Sequence, residues 1–133
     1  MPGGGVLRPS QLLLDTHVFI WWRTDSPRLS DVVRETIGSA DTVFVSAASA
    51  WEVAIKASLG KIRLPESFSS GVRASGFEQL FVRFTHAEAV AQLPHHHRDP
   101  FDRILVAQAA VEGLALVTHD PKLHEYDVEI VWS

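Results

Sequence analysis

Four acidic residues lie where strand ends and helix starts are predicted. Asp15 and Asp120 each follow an apolar run short enough to be a buried strand. Glu52 falls early in the helix that leaves the second predicted strand, and Asp102 falls early in the helix that feeds the fourth. If the strands are parallel, all four acids belong to the same edge of the sheet, where open α/β folds bind their ligands.

Carboxylates crowded at one edge would repel one another, raise each other's pKa values and destabilise the fold. A divalent cation relieves that repulsion, and oxygen ligands in a chain without cysteine favour Mg²⁺ or Mn²⁺. Two such ions roughly 4 Å apart could hold a phosphodiester, activate a water molecule and stabilise the leaving oxygen. The acid pattern therefore indicates metal-assisted phosphodiester chemistry.

Each acid also has a structural interpretation when it is taken alone. Glu52 stands three residues after Ser49, which is the spacing of a capping box, although its apolar neighbours would bury the charge. Asp120 precedes Pro121, a pattern typical of a helix N-cap. No capping role is predicted for Asp15, whose alternative is an ordinary polar residue at a strand end.

The segment Asp99-Pro100-Phe101-Asp102 contains two acids whose roles the proline separates. Asp99 before Pro100 is the expected N-cap followed by proline at the first helical position. Asp102 falls on the first turn, where a negative charge also suits the helix dipole. We therefore expect Asp102 to bind the metal and Asp99 to act mainly as a cap.

Strands and helices are predicted to alternate along the chain. Strands are expected at 12–14, 42–46, 80–84, 114–117 and 128–131. Helices are expected at 16–23, 32–39, 47–59, 65–76, 85–94 and 99–112, with a short one after 121. Thr85 and Glu88 have capping-box spacing at the start of the fifth helix. This order predicts a three-layer α/β/α sandwich with a mostly parallel central sheet.

Composition restricts the class of protein. A chain of 133 residues, 46% of them hydrophobic, can bury a core as one domain, expected at 11–133 after a flexible lead-in at 1–10. No segment approaches the ~18 apolar residues of a membrane span, and the lack of cysteine suits the cytoplasm. The net charge of −4 argues against broad nucleic-acid binding, but acids that hold metal ions contribute to that total.

Four short stretches together resemble the acidic motifs of PIN-domain ribonucleases: LLLDTH at 12–17, SAASAWEVAIK at 46–56, HRDPFDRILVAQA at 97–109 and LVTHD at 116–120. More narrowly, they are similar to VapC-type toxins of prokaryotic toxin–antitoxin pairs. The resemblance implies a PIN-like nuclease domain, Mg²⁺- or Mn²⁺-dependent cleavage of RNA, homodimerisation and inhibition by a cognate antitoxin. The catalytic and metal-binding acids that it implies are Asp15, Glu52, Asp102 and Asp120, with Asp99 as an extra, water-mediated acid.

Other classes of protein share part of this pattern. A phosphoacceptor receiver domain also combines Mg²⁺ with a parallel sheet, but it requires adjacent acids after the first strand and a lysine late in the sheet. Here the first strand is followed by Asp15 alone. A catalytically silent binding protein is a third class, and the complete set of four acids speaks against it.

Histidines and arginines surround the acidic motifs. His17 and His119 each adjoin a predicted ligand and could contact phosphate, although as chain neighbours they could equally point elsewhere. The run His95-His96-His97 is predicted to be a solvated loop, with adventitious binding of a soft metal as the alternative. Arg98 and Arg103 could hold RNA phosphates or pair with the acids, and the sequence leaves both interpretations open.

Two further groups of residues have open roles. Lys56, Lys61 and Arg63 form either a modest basic patch or a solvated face. Trp21 and Trp22 cannot face the same way on one helix, so we expect one in the core and the other as an interface anchor.

Overall fold

In a computed structural model of the chain, residues 10–132 are described, and they form strands and helices in alternation. The strands are β1 (Gln11–Leu14), β2 (Thr42–Ser46), β3 (Glu78–Leu80), β4 (Ala115–Thr118) and β5 (Ile130–Trp132). The helices are α1 (Thr16–Arg23), α2 (Asp31–Ser39), α3 (Ala47–Ser58), α4 (Phe68–Ala74), α5 (Phe84–Val90), α6 (Pro100–Glu112) and the 3₁₀ helix Pro121–Glu125. The predicted lead-in lies outside the described residues, apart from Ser10. Within residues 10–132, no helix combines the length and apolar character needed to cross a membrane.

The five strands belong to one sheet in the order β3-β2-β1-β4-β5, and each neighbouring pair is parallel. The chain builds outward from β1 to β3 and then returns to the other side of β1 with β4. The order therefore reverses between β1 and β4, which is the crevice where α/β sheets bind ligands. The predicted three-layer α/β/α architecture is confirmed.

The central strand β1 is buried on both faces. Leu12 and Leu14 pack into one hydrophobic cluster with Phe19, whereas Leu13 packs into the other with Leu105. All three strand leucines are fully buried. This explains why the strand shows no alternation of polar and apolar residues, as expected for a strand covered by helices on both sides.

The third strand is placed wrongly by the sequence pattern. The apolar run at 80–84 predicted a buried strand, but β3 occupies Glu78–Leu80 and Phe84 already belongs to α5. Because β3 lies at the edge of the sheet, nothing in the sheet covers the residues after it, and Phe81 is 59% exposed. The predicted cap at Thr85 is also wrong, since the N-cap is Arg83, whose backbone N–H donates to His86 Nδ1 at 3.0 Å.

Smaller differences concern the ends of elements. The fourth helical segment is α4 at Phe68–Ala74 rather than 65–76, and α5 ends at Val90, before the predicted stop at Pro94. The last two strands begin one and two residues later than predicted. The predicted cap at Asp99 is confirmed for α6. Ser30 caps α2, and Gly113 ends α6 in a left-handed conformation with φ 68°.

Candidate metal and active site

An acid-lined cleft of about 450 Å³ lies at the carboxyl edge of the sheet. The structure brings all of the predicted acids to it: Asp15, Glu52, Asp99, Asp102 and Asp120. The remaining lining residues are His17, Trp21, Lys56, His97, His119 and Pro121. A slightly larger cavity, about 490 Å³, lies between α3, α4 and β3, and among the described residues that line it only Arg73 and Glu78 are charged. The chemistry therefore points to the acid-lined cleft.

Asp15 is held between β1 and α1 by two donors. Its Oδ1 accepts from the Val18 backbone N–H at 2.8 Å, and its Oδ2 accepts from Thr118 Oγ1 at 2.6 Å. Burial raises the pKa of Asp15, and the hydrogen bonds from Thr118 and Val18 partly offset that rise. Asp15 is the N-cap of α1, so the prediction that it has no capping role was wrong. Asp15 is the single residue between β1 and α1. Its carboxylate caps α1 and accepts a hydrogen bond from Thr118 of the neighbouring strand β4.

Glu52 is 3% exposed on the inner face of α3. Its Oε1 accepts from Thr16 Oγ1 at 2.6 Å, and its Oε2 forms an ion pair with Lys56 Nζ at 2.5 Å. The predicted capping box is wrong, because Ser46 caps α3 and Ser49 lies inside the helix, 2.9 Å from the Thr16 hydroxyl. The buried charge is therefore partnered, as a carboxylate in this position must be.

The two acids at the start of α6 have different surroundings. Asp99 Oδ1 accepts from two backbone N–H groups of the first turn at 2.8 and 3.3 Å, which confirms the predicted cap. The Asp102 carboxylate faces the cleft. Burial, followed by the negative charges of Asp99 and Asp15, raises the pKa of Asp102 to about 7, although His97 opposes the rise and Glu52 adds to it. Burial and mutual repulsion among the acids thus both disfavour the charged form of Asp102.

Asp120 is joined to Asp102 through a histidine. Asp120 Oδ1 accepts from the Lys122 backbone N–H at 3.0 Å, which confirms its capping role, and its Oδ2 lies 2.7 Å from His97 Nε2. The same nitrogen lies 3.1 Å from Asp102 Oδ2. Burial alone would raise the pKa of Asp120, but the Lys122 N–H bond and His97 outweigh it, so the pKa is lowered.

His97 corrects the prediction of a solvated loop at 95–97. Its side chain is only 12% exposed, whereas His95 is exposed and His96 lies 3.5 Å from Glu125. No periodic signal distinguishes the three histidines in sequence. Their difference comes from the fold, since among the three it is His97 that lies within 3.1 Å of both Asp102 and Asp120.

Arg103 takes neither of the two roles that its sequence position suggested. It is 8% exposed, and its guanidinium donates to the carbonyls of Pro94 at 2.8 Å and Val90 at 3.0 Å, and to the Tyr126 hydroxyl at 3.1 Å. Within residues 10–132 its guanidinium forms no ion pair with an acid, and it anchors the loop that leads into α6. Arg98 is exposed.

The remaining residues near the cleft either line its wall or pack into the hydrophobic core. His17 and His119 line the cleft, and His119 stacks edge-on against Trp21 with ring centroids 5.2 Å apart. Lys56 pairs with Glu52 instead of joining a separate basic patch. Trp21 is buried, and Trp22 packs against the same hydrophobic cluster while remaining partly exposed.

The donor set fits a hard divalent cation. The carboxylates of Asp15, Glu52, Asp102 and Asp120 supply oxygen ligands, and the candidate ligand atoms of His97, Asp102 and Asp120 lie within 4.8 Å of one another. The raised pKa values of Asp15 and Asp102 mean that keeping these carboxylates charged in the cleft costs free energy. A bound cation would remove that cost.

Comparison with known proteins identifies the family. The PIN domain model matches residues 12–129 of the chain. Ribonuclease VapC22 of Mycobacterium tuberculosis is 33% identical in an alignment of 122 positions that covers 86% of this chain and 91% of that protein.

Two solved structures share the fold. VapBC2 from Rickettsia felis bound to a promoter DNA fragment superposes with a TM-score of 0.69 at 15% identity, covering 91% of this chain and 97% of that one. VapBC-5 from Mycobacterium tuberculosis, a member of the VapBC family of toxin–antitoxin systems, superposes with a TM-score of 0.61 at 22% identity, covering 94% and 100%. The chain therefore belongs to the PIN domain family and, within it, to the VapC group.

Proposed function

We propose that this chain is a metal-dependent endoribonuclease that acts as the toxin of a toxin–antitoxin pair, within a single nuclease domain at 11–133. The observation that carries the proposal is the convergence of Asp15, Glu52, Asp102 and Asp120, from four separate segments, in one cleft of a PIN-domain chain. The receiver-domain alternative is not favoured, because the PIN match covers most of the chain.

The proposed Mg²⁺ or Mn²⁺ would be held by these four acids, with Asp99 contacting it through water. Once bound, such an ion lowers the pKa of a water molecule and stabilises the leaving oxygen of a phosphodiester. The protein's part is to keep the ligands in place. Thr118 and Thr16 donate to Asp15 and Glu52 at 2.6 Å each, so these carboxylates are oriented before any ligand arrives.

Lys56, on α3, places a cationic group at the acid-lined cleft. Its Nζ is paired with Glu52, and its pKa is raised, first by the hydrogen bond to that carboxylate and also by the charges of Asp99 and Asp102. The ammonium therefore stays charged at neutral pH. At the wall of the cleft it would also contact the phosphate of a bound RNA, which the proposal assigns as its second role.

The proposal includes a cognate antitoxin, because VapC22 is named a ribonuclease and VapBC-5 belongs to a family of toxin–antitoxin systems. It also places the protein in the cytoplasm, in agreement with a chain that lacks cysteine.

The proposed homodimer would use an apolar groove of about 460 Å³ beside the cleft. Its lining includes Trp51, Val82, Phe101 and Ile104, and Trp51 is 63% exposed. Trp51 and Phe101 contact each other edge-on with ring centroids 5.2 Å apart. Phe101 is half-buried, and an exposed tryptophan such as Trp51 is a typical anchor of protein interfaces.

The proposal is tested by incubating the purified chain with total RNA in Mg²⁺, Mn²⁺ or EDTA and mapping the new RNA ends. We expect cleavage at discrete positions with either metal and none in EDTA. Asp15→Asn is the matched control, since the substitution keeps the size and capping ability of the side chain. Cleavage that persists in EDTA, or that is equal with Asp15→Asn, would show that the activity does not come from this cleft.

A further inference from the structure

His97 occupies a position between two of the acids. Its Nε2 lies 2.7 Å from Asp120 Oδ2 and 3.1 Å from Asp102 Oδ2. Asp102 lies in the first turn of α6 and Asp120 follows β4, and the two carboxylates have no direct hydrogen bond to each other among the contacts of the described residues. The histidine is therefore the group that connects them.

The hydrogen bonds of the imidazole assign its tautomer. Nδ1 accepts from the Asp99 backbone N–H at 3.1 Å, so the lone pair of Nδ1 is already in use. Nε2 then carries the proton and donates it to the two carboxylates. Direct binding of a cation to Nε2 would require that proton to move to Nδ1, where it would face the Asp99 N–H.

The backbone of His97 is fixed by buried groups. Its N–H donates to the Tyr126 hydroxyl at 3.1 Å, and Arg103 donates to the same hydroxyl at 3.1 Å. Arg103 also holds the Pro94 carbonyl of the preceding loop at 2.8 Å. The loop that carries His97 is therefore anchored to α6 and to the segment after the 3₁₀ helix, which explains why Arg103 is buried.

We propose that His97 is a positioning residue of the metal site: its Nε2–H holds Asp102 and Asp120 at the separation at which one divalent cation can join them. The inference rests on the proposed function. Without this donor the two carboxylates would repel each other and rotate apart. Outer-shell donors to metal-binding groups typically contribute roughly 10- to 100-fold to metal affinity.

The proposal is tested by calorimetric titration of Mg²⁺ and of Mn²⁺ into the full chain. His97→Leu removes the donor and keeps a similar bulk, whereas His97→Gln keeps a side-chain N–H of comparable reach. We expect His97→Leu to weaken both metals by roughly tenfold or more and His97→Gln to recover most of that loss. His95→Leu is the matched control, because His95 is exposed, and it should bind both metals as the wild type does.

Three outcomes would overturn the proposal. Unchanged affinity in His97→Leu would make the histidine a bystander, and tighter binding would make it a competitor of the metal. A loss confined to Mn²⁺ would make Nε2 a direct ligand, because nitrogen ligands favour Mn²⁺ over Mg²⁺. Melting temperatures in EDTA show whether each variant is folded.

A second variant keeps the proposal testable if His97→Leu does not fold. Tyr126→Phe removes the hydroxyl that accepts from the His97 N–H and should weaken both metals several-fold while leaving the imidazole present. Wild-type affinity in Tyr126→Phe would then contradict the anchoring role. The wild-type titration separates the two proposals: no binding of either metal by the wild type overturns the proposed function as well, whereas wild-type binding that His97→Leu retains overturns only the role of His97.

Discussion

The acid-lined cleft and the apolar groove lie side by side, and helices α3 and α6 contribute adjacent residues to both. On α3, Glu52 is 3% exposed in the cleft while Trp51 is 63% exposed in the groove. On α6, Asp102 faces the cleft and Phe101 the groove. On α3 the charge is inside and the aromatic side chain is outside, which reverses ordinary burial, whereas Phe101 and Asp102 on α6 are both half-buried. Both reversals cost free energy of folding, and we infer that each is kept for a ligand or partner.

The two regions differ in how their side chains are held. In the cleft, Asp15 and Glu52 each accept a hydroxyl hydrogen bond at 2.6 Å, so the carboxylates are fixed. In the groove, Trp51 and Phe101 contact each other through ring edges, and Trp51 is largely exposed while Phe101 is half-buried. The carboxylates of the cleft are oriented before a ligand binds, whereas the groove presents apolar surface area to a partner.

The largest expected effect is that of Asp15→Asn. We expect RNA cleavage to be abolished, because Asp15 lies at the central strand and an amide binds a hard cation poorly. The metal-free protein should melt at a higher temperature than the wild type, since a buried charge is removed while Asn still caps α1. Cleavage assays and thermal melts in EDTA measure the two effects. Wild-type cleavage in Mg²⁺ would contradict the assignment of the site.

The next largest effect separates the two acids of α6. Asp102→Asn should lose activity by orders of magnitude at saturating RNA, with the deepest loss at low Mg²⁺. Asp99→Asn should keep most of its activity, because Asn caps a helix about as well as Asp. Asp99→Ala should lose roughly 1 kcal/mol of stability from the missing cap. Equal activity losses for the two Asn variants, measured across a Mg²⁺ titration, would mean that both acids serve the metal.

The pH dependence of stability gives a smaller effect. The pKa of Asp102 is raised to about 7 by burial and by its acidic neighbours, so the folded state binds this proton more tightly than the unfolded chain does. Its stabilising contribution is therefore fully present below about pH 4 and is lost as the pH rises through about 7. Asp102→Asn lacks this loss. Urea unfolding of both proteins in EDTA should show their stabilities diverging over that range, and parallel curves would contradict the raised pKa.

The smallest effect is expected in the groove. Trp51→Glu should weaken the proposed homodimer by about tenfold or more, as loss of an aromatic anchor typically does. The melting temperature of the monomer should change little, because Trp51 is mostly exposed. Val111→Glu, at a 45% exposed position on the far end of α6, is the control. Analytical ultracentrifugation measures the effect, and equal dimer affinities for the two variants would place the interface elsewhere.

The convergence of the acids could be predicted from the sequence because it depends on element order alone. Once the strands are parallel, Asp15 and Asp120 must share the edge at which β1 and β4 end. Asp99 could be assigned as a cap because Pro100 marks the first helical position. The cap is indicated by the neighbouring proline, and the convergence follows from the order of strands and helices along the chain.

The remaining parts of the site depend on contacts between distant segments. His97 meets Asp120, which is 23 residues away in the chain, and Thr118 meets Asp15 across 103 residues. Neither contact leaves a periodic pattern in sequence. The apolar run after Leu80 was placed in a strand because burial was assumed, but it lies beyond an edge strand and remains exposed. A pattern of apolar residues cannot distinguish a core from a surface kept for a partner.

The central claim is that four acids at the carboxyl edge of the sheet bind a divalent metal. The most direct measurement is an anomalous difference map from crystals of the wild type and of Asp15→Asn soaked in Mn²⁺. We predict a manganese peak in the wild-type cleft, within bonding distance of Asp15 and at least one of Glu52, Asp102 and Asp120, and its loss in the variant. A wild-type cleft without manganese, or manganese only at the exposed histidine His95, would contradict the account.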